Sequence, residues 1–130
     1  MGADYKAAHK KTIPFNGGVV GLAANSTYYF VMSANSNWNR CQQVVSTAMT
    51  LRALYGNCDA APGVGETYTY TLMVNNIATP LTCQIAGAVA TQASDLVNQV
   101  AVVPGDLLSI RLVTSLNAVV AYHSASLEGN

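Results

Sequence analysis

The chain has 130 residues with six acidic and six basic side chains, so its formal net charge at pH 7 is zero. This balance argues against nucleic acid as a partner, and no apolar run is long enough to span a membrane. Charged residues make up 9% of the sequence while 51% is hydrophobic, against about 25% charged residues in average soluble proteins. We therefore expect a single domain that hides much of its surface against other chains. The alternative is a monomer solubilised by its many Asn, Gln, Ser and Thr side chains.

Residues 1–25 are predicted to form an extended arm ahead of a folded domain at 26–130. The segment NGGVVGLAAN has no stable period and is too rich in Gly and Ala to build a core. We expect the arm to lie on a neighbouring subunit, where its lysines meet acidic groups and its apolar side chains enter a groove. The residues assigned to this contact are Lys6, Lys10, Lys11, Ile13, Pro14 and Phe15. An ordinary solvated tail is the alternative. No secretory signal is visible in the first residues.

Two segments follow before the middle of the chain. STYYFVMS at 26–33 alternates, which predicts a strand with Phe30 and Met32 on one face. The next loop is polar and carries Trp38, for which we expect a contact with another protein or a glycan. Residues 41–57 could be helix or strand by pattern, and their β-branched side chains favour strand.

The segment ETYTYTLMVNNIATPLTCQI, residues 66–85, predicts a β-hairpin that turns at Asn75-Asn76. Tyr68 and Tyr70 share a face with Leu72 and Val74, and we expect that face to form either the core or the contact between subunits. Cys83 keeps register with apolar neighbours and is predicted to be a small buried side chain.

The last third of the chain predicts strands at 95–103, 107–115 and 117–128, with a turn at 104–106. Ser109 and Arg111 are expected to face outward on the second of these, and Val119 shares one face with His123 on the third. The whole chain then contains about eight short strands and no long helix. This organisation is typical of an all-β fold, an antiparallel β-sandwich or jelly roll of about eight strands.

The side chains that carry chemistry are few. No GxSxG nucleophile elbow is present, and the two histidines and three cysteines lack metal-ligand spacing. Cys41 and Cys58 could pair in an oxidising setting, although free thiols are expected. We predict no catalytic residue, no metal site, no cofactor and no enzymatic activity.

Two motifs give the chain a resemblance. TYTYTLMVNN, followed some thirty residues later by VAVVPGDLLSIRLVTS, resembles the C1q/TNF-like jelly rolls of phage virion proteins. The Gly105-Asp106 turn matches that pattern, whereas Asn76 stands where the pattern often has Gly. The resemblance covers roughly residues 44–127.

The resemblance implies a homotrimer with a structural role. The short arm favours a capsid decoration (cement) protein of a tailed bacteriophage, made in the bacterial host cytoplasm and placed on the outer capsid surface of the virion. Its partners would be sister subunits, the major capsid protein and neighbouring trimers, with no nucleic acid and no membrane. Candidate residues for the trimer interface are Tyr68, Tyr70, Tyr122 and His123. A receptor-binding tail-fibre head and a cellular C1q-like binding module are the alternatives.

Overall fold

The structure, a computed structural model, describes residues 11–18 and 21–130, and its regular structure is almost entirely β. The only helical element in that part of the chain is a 3-10 turn at Trp38–Arg40. The strands are β1 (Lys11–Asn16), β2 (Ser26–Phe30), β3 (Ala34–Asn35), β4 (Gln43–Val44), β5 (Met49–Cys58), β6 (Gly63–Val74), β7 (Ile77–Gly87), β8 (Gln92–Val102), β9 (Leu107–Thr114) and β10 (His123–Gly129). The prediction of an antiparallel all-β sandwich is confirmed. No helix in the described residues is long and apolar enough to cross a membrane.

The strands form two sheets that enclose one core. The first sheet has the order β1-β10-β5-β8, and the second has the order β3-β2-β9-β6-β7, with β4 added to the start of β9. Every pairing is antiparallel. Most consecutive long strands lie in different sheets, so the chain crosses from one sheet to the other at nearly every strand end. This alternation of strands between two sheets is the arrangement of a jelly roll.

These crossings place the connections at two opposite ends of the sandwich. We call one the loop end, which collects residues 17–18, 21–25, 59–62, 88–91 and 115–122. We call the other the terminal end, which collects Lys11, Asn130 and the connections at 45–48, 75–76 and 103–106. Strand β1 begins at the terminal end and ends at the loop end, because it runs antiparallel to β10.

The two turns quoted for the resemblance lie side by side at the terminal end. Asn75 and Asn76 have φ values of 52° and 61°, as a two-residue type I′ hairpin turn requires. The side-chain amide of Asn75 donates to Asp106 Oδ1 over 3.0 Å, and its carbonyl oxygen accepts from the N–H of Leu107 over 3.0 Å. The predicted hairpin is therefore present, and its turn is bound to the second turn by side-chain hydrogen bonds.

Most predicted core faces are found in the core. Buried positions include Leu72, Leu81, Cys83, Ile85, Leu108, Ile110, Leu112, Ala125 and Leu127. Three positions differ from the prediction. Met32 is exposed because β2 ends at Phe30, Val119 is exposed because β10 begins only at His123, and Ser109 is buried rather than facing outward.

The predicted arm is wrong for residues 11–16. These residues pair with β10 position by position, from Lys11 opposite Gly129 to Asn16 opposite Ser124. Phe15 is only 1% exposed and packs in the core of its own chain, so it is not available to a neighbour's groove. The local sequence pattern did not predict this strand because its partner, β10, lies more than a hundred residues away. Lys6 and Lys10 lie outside the described residues.

Candidate functional site

Three of the four predicted interface residues lie inside the sandwich. Tyr68 and Tyr70 have no exposed surface, and His123 is 3% exposed. They cannot contact a sister subunit without unfolding, so their assignment to the trimer interface is wrong. Alternation identified the correct face of each strand, but an apolar face can meet either the opposite sheet or another chain. Tyr122, next to His123, is 49% exposed and remains available to a partner.

The three buried rings form a hydrogen-bonded group near the loop end. The hydroxyl of Tyr70 lies 2.6 Å from Nδ1 of His123 and also donates to the carbonyl of Asn57 over 3.2 Å. The ring of Tyr68 packs edge-on against His123, with ring centroids 4.5 Å apart, and its hydroxyl donates to the carbonyl of Val119. Nε2 of His123 has no hydrogen-bond partner among the residues that the structure describes.

Burial changes the acid–base behaviour of this group. It lowers the pKa of His123 to about 4, although the nearby Asp59 carboxylate acts in the opposite direction. Burial also raises the pKa of Tyr68 to about 12 and raises that of Tyr70 further. All three rings are therefore neutral near pH 7. A neutral, enclosed imidazole of this kind contributes to the fold rather than acting as an exposed acid or base.

A polar depression of about 170 Å³ lies on the surface of the loop end, outside the first sheet. Asn16, Ser124 and Asn57 lie side by side across β1, β10 and β5, and their side chains face outward because their neighbours in the strands face the core. Gly18, Asp59 and Tyr122 complete the depression from the three adjoining connections.

Hydrogen bonds hold the backbone around this depression, while several of its side chains have no hydrogen-bond partner among the described residues. The N–H of Tyr122 donates to Asp59 Oδ1 over 2.9 Å, and the N–H of Asp59 donates to the carbonyl of Tyr122 over 3.2 Å. Asn16 Oδ1 accepts from the N–H of Gly18 over 2.7 Å. Within residues 11–18 and 21–130, the side chains of Asn57, Tyr122 and Ser124 form no hydrogen bond. They can therefore bind a ligand without giving up a contact in the protein.

The terminal end carries a concave site of the opposite character. This groove has a volume of about 490 Å³ and a mostly apolar lining. Its walls include Ile13, Val44, Val45, Met49 and Leu108, and Lys11 lies at its rim. Strand β1 therefore begins beside the groove.

The edge of the first sheet presents two adjacent apolar side chains that the sequence did not single out. Leu96 and Val97 of β8 are 64% and 86% exposed. The Asp95 carboxylate fixes the backbone around them by accepting hydrogen bonds from the N–H groups of Thr82, Val97 and Asn98 and from the Asn98 side chain. Burial alone would raise the pKa of Asp95, but these bonds outweigh it and lower the pKa to about 2. A strict alternation of apolar and polar residues cannot reveal two adjacent exposed side chains. They occur here because the register between β5 and β8 shifts at this point.

The remaining sequence candidates are placed as follows. Trp38 is half-buried in the 3-10 turn, where the Asn37 side chain accepts from the N–H of Asn39 over 3.0 Å. Pro14 is exposed on the outer face of β1.

Cys41, Cys58 and Cys83 are buried free thiols, and burial raises the pKa of each, to about 11 for Cys83. In the described part of the chain, no three His, Cys, Asp or Glu side chains are grouped to hold a metal ion.

Comparison with known proteins does not define a family. No family model matches the chain, and no curated protein matches it. Among solved structures, a cycloisomaltooligosaccharide glucanotransferase from Paenibacillus sp., complexed with cycloisomaltoheptaose, is similar at 21% sequence identity and a TM-score of 0.33. The similarity covers 67% of this chain and 12% of that protein. A similarity of this size carries no argument about the activity of the present chain.

Proposed function

We propose that this protein is a structural component of a tailed-phage virion, a homotrimeric decoration (cement) protein that binds the outer capsid and stabilises the shell. A subunit of this kind needs two contact surfaces, one for its sister subunits and one for the shell. The observation that carries the proposal is the presence of two separate apolar surfaces on a nearly uncharged jelly roll, Leu96-Val97 on β8 and the groove at the terminal end. The resemblance of the two turn motifs to phage virion proteins supports the same function.

In this proposal the edge of β8 forms the contact between subunits. Leu96 and Val97 are adjacent, exposed and held by the Asp95 hydrogen bonds, so burying them costs little ordering of the backbone. Replacing both by serine is expected to convert trimers to monomers in a native mass measurement. Val89→Ser is the matched control, since Val89 is 90% exposed but lies at the loop end. A double variant that stays fully trimeric would rule out this edge as the interface.

The terminal end would face the shell. The groove accepts an apolar side chain of the major capsid protein, while Lys11 meets an acidic group beside it. Val44→Asp places a charge in the groove lining at an exposed position, so the fold should persist while binding to undecorated capsids is lost. Val120→Asp, an exposed valine at the opposite end, is the control. Equal binding by both variants would place the shell contact elsewhere.

The alternative is a receptor-binding head on a tail fibre, and the polar depression at the loop end favours it. The two functions differ in copy number. A decoration protein is present in a number that matches the capsid lattice, whereas a tail protein is present in a few copies at one vertex. Quantitative mass spectrometry of purified particles therefore distinguishes them, and a few copies confined to the tail would refute the decoration role.

A further inference from the structure

We propose that the depression at the loop end is a binding site for a neutral carbohydrate, with Tyr122, Asn57, Asp59 and Ser124 as its contact residues. This site goes beyond the decoration role and does not depend on it. It lies at the end of the sandwich opposite the groove. A subunit attached through its terminal end would therefore leave the depression open to the surroundings.

The size of the depression selects a small ligand. Its volume of about 170 Å³ is well below the roughly 300–1,000 Å³ of sites that enclose a drug-sized molecule. It is also open to solvent on one side, where the rest of a longer chain could continue. These dimensions fit one ring of an oligosaccharide rather than a nucleotide or a folded peptide.

The chemistry of the side chains matches a sugar ring, which has hydroxyl groups around its edge and C–H groups on its faces. The Asn57 amide offers two donors and an acceptor, and the Ser124 hydroxyl offers one donor and an acceptor. The second oxygen of the Asp59 carboxylate accepts from a hydroxyl, since only Oδ1 is used by the Tyr122 N–H. The half-exposed ring of Tyr122 supplies an apolar surface with a polar tip for the C–H face.

The charge of the site selects a neutral ligand. Among the described residues that line the depression, Asp59 is the only one with a charge near pH 7, because burial keeps His123 neutral. A phosphate or an acidic sugar would meet this carboxylate without a compensating cation. A divalent metal ion would find a single carboxylate where several oxygens are needed.

The site is also held in place before any ligand arrives. The Tyr122 N–H donates to the Asp59 carboxylate and the Asp59 N–H donates to the Tyr122 carbonyl, and these two bonds join the two loops. The Tyr70 hydroxyl binds the carbonyl of Asn57, and the N–H of Gly17 donates to the carbonyl of His123 over 2.8 Å. Because these groups are already fixed, ligand binding orders only the side chains that lie at the surface.

The test is a titration of the full-length protein with methyl glycosides of glucose, galactose, mannose and N-acetylglucosamine, followed by amide NMR shifts. We expect saturating shifts of Asn57, Asp59 and Tyr122 for at least one sugar, with a dissociation constant in the millimolar range that is typical of one small, exposed site. Tyr122→Ala and Asn57→Ala should each weaken binding about tenfold, which corresponds to about 1.4 kcal/mol. Tyr55→Ala is the matched control, since Tyr55 is exposed on the outer face of β5 two residues before Asn57. This control should bind as the unmodified protein does.

Three outcomes would overturn the inference. The first is no saturable shift for any of the four sugars. The second is tighter binding of sialic acid or inorganic phosphate than of the neutral glycosides. The third is loss of the trimer in Tyr122→Ala, measured by native mass, which would show that this side chain lies between subunits and that the depression is covered. Capsid decoration by the same variant is measured separately, so failure of this inference and failure of the decoration role are distinguishable.

Discussion

The loop end and the terminal end of the sandwich are built on different principles. At the loop end the core contains polar rings that bind one another, and the surface depression above them is lined by amides, hydroxyls and one carboxylate. At the terminal end the space between the sheets remains partly open, and the groove there has a mostly apolar lining. Both ends belong to the same eight long strands, but strand β4 and the connection at 45–48 line the groove at the terminal end only, so the difference arises from this segment as well as from the side chains.

The two ends differ in where their free energy comes from: the loop end is stabilised within the protein, and the terminal end exposes apolar surface that a partner could cover. The loop end is closed by hydrogen bonds that specify one arrangement of its loops, which suits a site that must keep its shape for a small polar ligand. The terminal end leaves apolar surface in contact with water, and that surface gains free energy only when another molecule covers it. The proposals above therefore assign ligand recognition to the loop end and attachment to the terminal end.

The largest expected effect is on the free energy of unfolding, and it is seen by truncating two side chains of β1, one near each end. Phe15 is fully buried and packs towards the loop end, while Ile13 is half-buried beside the groove. Phe15→Ala should reduce the free energy of unfolding by about 3–5 kcal/mol, as expected for removal of a buried aromatic ring. Ile13→Ala should cost clearly less, because part of its surface is already in water. Urea unfolding of both variants measures this. Equal costs would mean that the two ends are packed equally well.

The second effect is a pH dependence that belongs to the loop end. The pKa of His123 is about 4 in the folded protein, against about 6.5 for an unperturbed histidine. Between these values the unfolded chain binds a proton that the folded chain excludes, so stability is complete above pH 6.5 and is lost as the pH falls towards 4. The shift corresponds to about 3 kcal/mol. Asp95, with a pKa of about 2, loses its contribution only below about pH 4.

Thermal unfolding between pH 7 and pH 4 tests this dependence. His123→Gln retains a polar side chain but cannot titrate, so its stability should change less over this range than that of the unmodified protein. An identical pH slope in the two proteins would assign the dependence to other groups. The same variant should bind undecorated capsids through the terminal end as the unmodified protein does.

The third effect tests how closely the loop end is packed. A Cβ atom added at Gly56 would lie 2.5 Å from Cδ2 of Tyr70 and 2.9 Å from Cγ of the same ring. That ring is held by His123 and Asn57 and cannot move aside without breaking its hydrogen bonds. Gly56→Ala should cost about 1–3 kcal/mol through overpacking. Ser126→Ala on the outer face of the adjacent strand β10 should change stability by less than about 0.5 kcal/mol. A neutral Gly56→Ala would show that the Tyr70 ring is loosely held.

Much of the fold was predictable from local pattern. The Tyr/Thr alternation of 66–74, the Asn75-Asn76 turn and the turn at 104–106 each describe a few consecutive residues, and all three are present. Residues 11–16 were missed because their strand depends on a partner distant in sequence. Their own composition, with Pro14 and few apolar side chains, does not identify a strand.

The candidate site was harder to predict for a physical reason. Tyr68, Tyr70 and His123 lie on the predicted faces, but sequence alternation cannot distinguish a face that meets the opposite sheet from one that meets another chain. The depression combines residues from three strands and three connections, so no single motif encodes it. Only the register that aligns Asn16, Ser124 and Asn57 brings its floor together.

The smallest expected effect concerns the ion pair of Arg52 and Glu128 on the outer face of the first sheet. The guanidinium Nε and one terminal nitrogen both bind Glu128 Oε1, over 3.0 Å and 2.9 Å, at the part of β5 and β10 that lies towards the terminal end. Both side chains are about one-third exposed, so water screens the attraction, and Glu128→Gln should cost no more than about 1 kcal/mol. The cost should fall further in high salt. A loss of several kcal/mol that persists in high salt would show that the region beside the groove depends on this ion pair, as the neighbouring turns depend on the Asn75–Asp106 hydrogen bond, and the contrast between a polar depression and an apolar groove left open for attachment would no longer hold.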